Sequence, residues 1–410
     1  MTSQVSAGDT AFVLMAAALV MFMTPGLALF YGGMVRTKNV LGTIMQSFFI
    51  VALVSVLWAL VGYSLAFGPD RGHLIGSLAW AGLRGVGQAP NPDYAATIPH
   101  LAFMIFQAMF AVITPALITG AFAERVRFPS FVVFTALWSL LVYAPIAHWV
   151  WGTGGWIRNL GVLDFAGGTV VHISSGAAAL AAVLVIGARR GYGSAVFASH
   201  NLPLTILGAG ILWFGWFGFN AGSALAANGL ACSAFVVTNL AASAAAMSWA
   251  LAEWMRHGRP TTLGAASGAV AGLVAITPAS GFVAPMPALA IGALAGVACY
   301  SAVQAKWRAG YDDALDVVGI HGAGGILGAL ATGVFASTLI NPAGADGLIL
   351  GNPSLLLAQA VAVGATVAYS FVMSLVLLKA VDLALGLRVH EEQEEMGLDL
   401  SQHSEAAYGF

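Results

Sequence analysis

The sequence predicts an all-α polytopic membrane protein of eleven transmembrane helices, arranged as an inverted five-helix repeat plus one additional helix. Three observations carry that prediction. Of 410 residues, 59% are hydrophobic and only 8% are charged, where an ordinary soluble domain carries about 25% charged residues. The apolar residues fall in runs long enough to cross a bilayer, which takes roughly 20 residues each. The basic residues then sort to one side of the membrane that those runs define.

Eleven runs satisfy the length rule, at about 10–34, 40–67, 99–122, 129–150, 165–187, 201–225, 231–254, 262–281, 285–305, 317–338 and 353–379. Met1 to Thr10 carries no positive charge ahead of the first run, unlike the basic start of a cleaved signal peptide, so that run is read as a retained span. Pro and Gly inside several runs predict kinks or unwound turns, which neighbouring helices satisfy. The 50 glycines, many beside Ala and Ser, predict close packing between spans. Cys232 and Cys299 stand in separate runs, which argues against a disulfide or metal framework. The formal net charge of −2, with no basic block, lacks the footprint that nucleic-acid binding needs.

Charge placement tests the count. With eleven spans, Arg36, Lys38, Arg125, Arg127, Arg189, Arg190, Arg256, Arg259, Lys306, Arg308, Lys379 and Arg388 share one side, and only Arg71, Arg84 and Arg158 fall on the other. The positive-inside rule then puts the N-terminus outside and the C-terminus in the cytoplasm, in a cytoplasmic (inner) membrane. Spans one to five and six to ten run in opposite senses, as inverted repeats do. The division that follows is a transmembrane domain over 1–385 and a polar, acidic cytoplasmic tail over 386–410, which reads as a regulatory element or a solvated end.

Two polar insertions stand out inside the apolar runs, Asp164 through His172 and Asp316 through Gly322. An ionisable group in the hydrocarbon core costs about 2.5–3.5 kcal/mol on insertion scales, so each marks a functional site by default. His172 and His321 occupy corresponding spans of the two halves. Ser175, Gly176 and Ala179 share the helical face of His172, and Gly324, Gly325 and Gly328 that of His321, so small residues let the rings meet. Two unrelated histidines, each bonded to a backbone carbonyl, form the bland alternative. No third ligand stands at metal spacing. Asp164 reads first as a helix N-cap and second as an attractor of cations, and Asp316 carries the same N-cap reading.

Aromatic residues gather toward the outer ends of several spans. Trp149, Trp156 and Trp213 read as interfacial belt residues. Phe110, Trp151 and Phe219, with the Ser223 hydroxyl as acceptor, suit a small cation that donates hydrogen bonds, because a desolvated cation over aromatic faces gains about 2 kcal/mol.

The stretches Thr24–Gly33, Gly120–Arg125, Asp164–His172, Gly215–Ser223 and Asp316–Gly322 resemble, in order and over nearly the whole chain, the signatures of the ammonium transporter (Amt/MEP/Rh) family. Trp151 and Ser223 place the resemblance in its bacterial and plant Amt branch. The resemblance implies a homotrimer with one pore per subunit and an external ammonium site at Trp151, Phe110 and Ser223. It implies a gate of Phe110 and Phe219, a pore lined by the twin histidines His172 and His321, and a structural and electrostatic role for Asp164. It further implies no cofactor and a tail controlled by a PII-type signalling protein. Gln402 through Tyr408 resembles the family's tail motif, which usually has Gly where this chain has Ser404.

Together these readings predict ammonium/ammonia transport. Ammonium is bound outside, loses its proton near Asp164 or a bound water and crosses as ammonia, with His172 and His321 sharing one proton. Two alternatives remain: an ammonium sensor signalling through its tail, disfavoured by the mere 25 or so residues after the last span, and Rh-like gas conduction. An enzyme is disfavoured, because no nucleophile or metal set accompanies the histidines.

Overall fold

The computed structural model describes residues 4–195 and 197–409. Eleven apolar helices follow one another: α1 (Ala7–Met34), α2 (Thr37–Phe67), α3 (His100–Ile118), α4 (Phe128–Asn159), α5 (Gly168–Ile186), α6 (Leu202–Gly222), α7 (Gly229–His257), α8 (Thr262–Ile276), α9 (Pro285–Ala309), α10 (Val318–Phe335) and α11 (Pro353–Leu385). All but α8 are long and apolar enough to cross a membrane. Two short tail helices, α12 (Glu391–Met396) and α13 (Leu398–His403), complete the chain.

Local chemistry explains where these helices start. Ser6, Asn201, Asn228 and Thr261 each accept a backbone N–H from the first turn of α1, α6, α7 and α8, satisfying donors that have no partner inside the helix. Pro285 and Pro353 open α9 and α11, where a missing N–H costs nothing.

Two features depart from the sequence expectation. The loop between α2 and α3 holds two small antiparallel hairpins, β1 (Asp70–Arg71) with β2 (Ile75–Gly76) and β3 (Pro90–Asn91) with β4 (Ala95–Pro99). Gly, Pro, Asn and Asp crowd that loop, and these are turn residues. In addition, α8 ends at Ile276, short of the expected 281, because Pro278 has no N–H with which to continue it.

The inverted repeat is visible in how helices pair. α1 packs along α6, and α5 meets α10. The counterpart breaks after α3 and α8 are bonded in the same way. Phe165 N–H donates to the Pro278 carbonyl (3.1 Å), and Ala314 N–H donates to the Ala121 carbonyl (3.3 Å). Each donor directly follows an aspartate, Asp164 in one half and Asp313 in the other. α11, the additional helix, lies against α4, α5 and α10.

Basic residues expected to share a side do gather at one end. Arg36 and Arg189 both pair with Glu124, at 3.0 and 3.1 Å, and Arg189 also reaches Asp312 at 2.8 Å. The tail docks at the same end. Arg388 pairs with Glu394 at 2.8 Å, Val389 N–H donates to the Arg125 carbonyl, and Asp399 accepts the Gly42 N–H. Arg158 lies at the opposite end, donating to the Trp151 carbonyl.

Candidate conduction site

Asp164 opens α5. Its Oδ1 accepts N–H groups from Gly167 (2.8 Å) and Gly168 (2.7 Å), and Oδ2 those from Thr169 (2.8 Å) and Val170 (3.2 Å). The carboxylate thus holds the helix start from outside it, through four backbone donors, while Gly167 occupies the N-cap position itself. The counterpart of Asp164 is not Asp316. Asp313 Oδ2 accepts the Val318 N–H at the start of α10 (2.7 Å), while the Asp316 carboxylate turns away to Lys306. Asp316 contributes its backbone instead: it has a left-handed φ of 63°, and its carbonyl accepts the Ile320 N–H. Asp164 and Asp313 each stand eight residues before their histidine, a spacing the sequence displayed and the comparison of Asp164 with Asp316 overlooked.

A vestibule of about 490 Å³ opens beside Asp164, lined by Trp151, Phe110 and Ser223 among others. Trp151 donates its indole N–H to the Asp164 carbonyl (2.9 Å), which fixes the ring and leaves its face as the interacting surface. Phe110 stands edge-on to it, centroids 5.8 Å apart with planes at 88°. The Ser223 hydroxyl donates to the Phe219 carbonyl (2.8 Å), so its oxygen faces the cavity as an acceptor.

Below the vestibule, Phe110 and Phe219 lie 4.3 Å apart, both almost wholly buried, and their rings block the way. Beneath Phe219 come the two histidines. Each belongs to a π-helical turn, Gly168–Ile173 for His172 and Val318–Gly322 for His321. Such wide turns shift side chains from ordinary helical offsets and often mark functional sites. His172 Nδ1 lies 3.3 Å from His321 Nδ1, and His172 Nε2 is buried without a partner among the described residues. The cavity around them has room of only about 10 Å³ for the centre of a water-sized molecule, within walls such as Leu27, Ile113 and Leu212. That is the least space a single water needs.

The small residues on these helices do allow close approach. A Cβ on Gly176 would collide with the Gly322 backbone, and one on Gly325 would stand 3.0 Å from His172 Cβ.

Several lining residues escaped the sequence reading. Trp216 stacks on His172 at 5.4 Å and 21°, its N–H held by the Thr277 hydroxyl (2.8 Å). Gln107 lines the vestibule with a buried Oε1 that has no partner among the described residues. Its position three residues before Phe110 on α3 was the available signal. Trp149, read as a belt residue, is buried instead, donating to the Leu74 carbonyl (2.7 Å) and packing on Trp156 and Tyr369.

At the opposite mouth, electrostatics diverge between neighbours. Burial works against the charge on Glu124 and on Asp312, yet Arg189 with Arg36, and Arg189 with Arg125, hold both carboxyls below the ordinary range. Asp313 has no such rescue: burial, then nearby Asp316, push it up to about 6 despite Lys306.

An apolar helical shell, an open aromatic vestibule and a buried imidazole pair on one line define a multi-pass membrane conduction protein. The profile of the Ammonium Transporter Family matches residues 11–408. The ammonium transporter of Bacillus subtilis (strain 168) is 56% identical over 402 residues, covering 98% of each chain. Among solved structures, Saccharomyces cerevisiae Mep2 matches with a TM-score of 0.89 at 36% identity, over 95% of this chain and 89% of that one. A structure described as a Sensor Amt Protein matches at 0.88 and 29% identity, over 97% and 98%. The chain belongs to the ammonium transporter family. It serves ammonium/ammonia transport across a membrane that its helices span many times.

Proposed function

We propose that ammonium binds in the vestibule against the faces of Trp151 and Phe110 with Ser223 accepting one of its hydrogens, loses a proton there, and crosses as ammonia. The observation that carries this reading is the stack of Phe110 on Phe219 directly above a cavity barely wide enough for one water. An intact cation would face a desolvation cost of up to tens of kcal/mol on that route. Deprotonation avoids most of it, and burial drives an amine toward its neutral form. Potassium has no proton to lose and is excluded without a size filter.

Asp164 enters this scheme through its charge. Its carboxylate, held by four backbone N–H donors, favours a cation nearby, and the proton leaves close to it or to a bound water. His172 and His321 share one proton across their Nδ1 atoms and act as one titrating unit.

The assembly reading is a homotrimer in the cytoplasmic membrane, N-terminus outside, with residues 386–410 as a cytoplasmic regulatory tail that a PII-type protein reads. The collection of Arg36, Arg125, Arg189 and Arg388 at the end where the tail docks supports that orientation.

Ammonium pulses on proteoliposomes, read by solid-supported membrane electrophysiology, test the central claim. Saturable current with ammonium and none with potassium is expected, and Trp151→Leu should raise the half-saturating concentration. Binding without flux would point to a sensor and overturn transport by this route.

A further inference from the structure

Beside the conduction path, one buried histidine has both ring nitrogens committed. His148 lies on α4 one turn before Trp151, and its side chain has no solvent exposure. Nδ1 is 2.9 Å from the Ala66 carbonyl, and Nε2 is 2.9 Å from Asp70 Oδ1. A carbonyl only accepts, and so does an ionised carboxylate. A neutral imidazole offers one N–H and one lone pair, so either neutral tautomer sets a buried lone pair against an acceptor oxygen. The imidazolium satisfies both partners. Asp70 has reason to be ionised: burial opposes its charge, but bonds from His148 and from the His73 N–H (2.9 and 3.2 Å) hold its carboxyl below the ordinary value.

The location of this pair gives it a consequence. Ala66 precedes Phe67, which lines the vestibule. Asp70 begins β1. Further bonds strap the same loop to the turn that carries Trp151: Trp149 N–H to the Leu74 carbonyl (2.7 Å), Trp156 N–H to the His73 carbonyl (3.2 Å), and Tyr94, whose hydroxyl donates to the Phe67 carbonyl (2.7 Å) and accepts the Thr153 N–H (3.1 Å). Of these ties the His148 pair is ionic, and His73, whose Nδ1 lies 3.4 Å from Asp70 Oδ2 and 2.7 Å from the Gly154 carbonyl, is the other titratable link to that turn. The titratable groups at the pair among the described residues are Asp70 on β1 and His73 in the following turn, while Tyr94 and Arg158 bond the neighbouring turn through the Thr153 N–H (3.1 Å) and the Trp151 carbonyl (2.8 Å).

We propose that His148 is an imidazolium paired with Asp70 and that this part-buried pair positions the Trp151 wall of the vestibule, so that ammonium binding depends on the proton His148 carries. His148 is a positioning residue, and the inference rests on the reading of Trp151 as part of the ammonium site.

The test combines two readouts on the full-length protein. In proteoliposomes, ammonium dose–response currents are compared for the parent, His148→Gln, Asp70→Asn and Trp151→Leu between about pH 5 and 8. His148→Gln and Asp70→Asn should each raise the half-saturating ammonium concentration about tenfold while saturating current changes far less. The pH dependence of half-saturation seen in the parent should flatten in both. In parallel, ¹⁵N-histidine NMR should show an imidazolium at neutral pH that disappears in His148→Gln and turns neutral in Asp70→Asn. If His148→Gln does not assemble, Asp70→Asn and the NMR of the parent still decide the matter. A neutral His148 in the parent, or unshifted half-saturation in Asp70→Asn while Trp151→Leu shifts it, overturns this inference alone. Unshifted half-saturation in Trp151→Leu overturns the vestibular binding site and this inference with it.

Discussion

His172 and His321 face each other through the same ring atom, Nδ1 to Nδ1 at 3.3 Å, with planes inclined by 21°. One bond between two like atoms requires unlike states: one ring carries the proton at Nδ1 and the other offers a lone pair there. In the proposed mechanism neither ring acts without its partner. His172→Ala and His321→Ala are therefore each expected to reduce ammonium-evoked current or to weaken potassium exclusion, and the double variant should lose little more than either single one. Unchanged current and unchanged exclusion in both single variants would remove the pair from the mechanism.

The approach of the two rings depends on the approach of two backbones. A methyl on Gly176 has no room against the Gly322 backbone, and overpacking a tight interior costs about 1–3 kcal/mol or forces a shift. Gly176→Ala should separate α5 from α10, lower the thermal midpoint in detergent and lower the current. Gly210, with open space around its Cβ position, is the control. Gly210→Ala should change neither, and an equal response at both positions would refute the contact.

The contrast between Gly176 and Gly210 shows what the sequence alone displayed. Apolar runs and charge sorting located the spans because bilayer thickness and helical rise leave little freedom. His172, His321, Phe110, Phe219, Trp151 and Ser223 were identifiable because polar or aromatic residues inside such runs demand a reason. Hydrogen-bond partners across the chain were not legible. Nothing local says that Trp149 reaches Leu74, that Asp316 turns toward Lys306 while Asp313 caps α10, or that Pro278 receives the Phe165 N–H. Nor does any residue preference announce a π-helical turn, which exists here because surrounding helices stabilise it.

Asp164 separates structure from charge in a measurable way. Asp164→Asn replaces one of two accepting oxygens with an amide that donates, leaving the donors that faced it unpaired in a buried site. Each unsatisfied buried donor costs about 1–3 kcal/mol. A lowered thermal midpoint is expected, accompanied by a raised half-saturating ammonium concentration. A variant as stable as the parent would mean that the four backbone donors find other partners and that this hold on the helix start is dispensable.

Ser404 sits at the C-terminal end of α13 with φ of 56° and ψ of 33°, in the left-handed region that disfavours side chains. An L-residue there costs about 1–2 kcal/mol relative to glycine. Ser404→Gly should tighten the docked tail, slowing amide exchange at position 404 and at Glu405, whose N–H groups donate to the Leu400 and Asp399 carbonyls at 3.1 Å each. Ser404→Val should accelerate exchange at the same amides, since β-branching makes left-handed backbone harder still. No difference between the two variants would show that the turn does not limit docking.

The buried carboxyls at the tail-bearing end make opposite contributions as pH changes. Glu124 and Asp312 have folded values depressed by their arginines, so the unfolded chain binds protons first on acidification. Their contribution is full above the ordinary carboxylate range and is lost as pH falls through their folded values. Asp313 runs the other way. Its folded value of about 6 exceeds the unfolded one, so the folded state takes up the proton first, and the penalty of its burial appears as pH rises through about 6. Asp313→Asn keeps an oxygen for the Val318 N–H and removes that penalty. The variant should be more stable than the parent at neutral pH, by an amount on the order of 3 kcal/mol, and the advantage should vanish near pH 4. Denaturation midpoints of both proteins across that range check the sign directly. A variant less stable than the parent at neutral pH would mean that the Asp313 charge is held favourably by Lys306 and that its carboxyl titrates in the ordinary range after all.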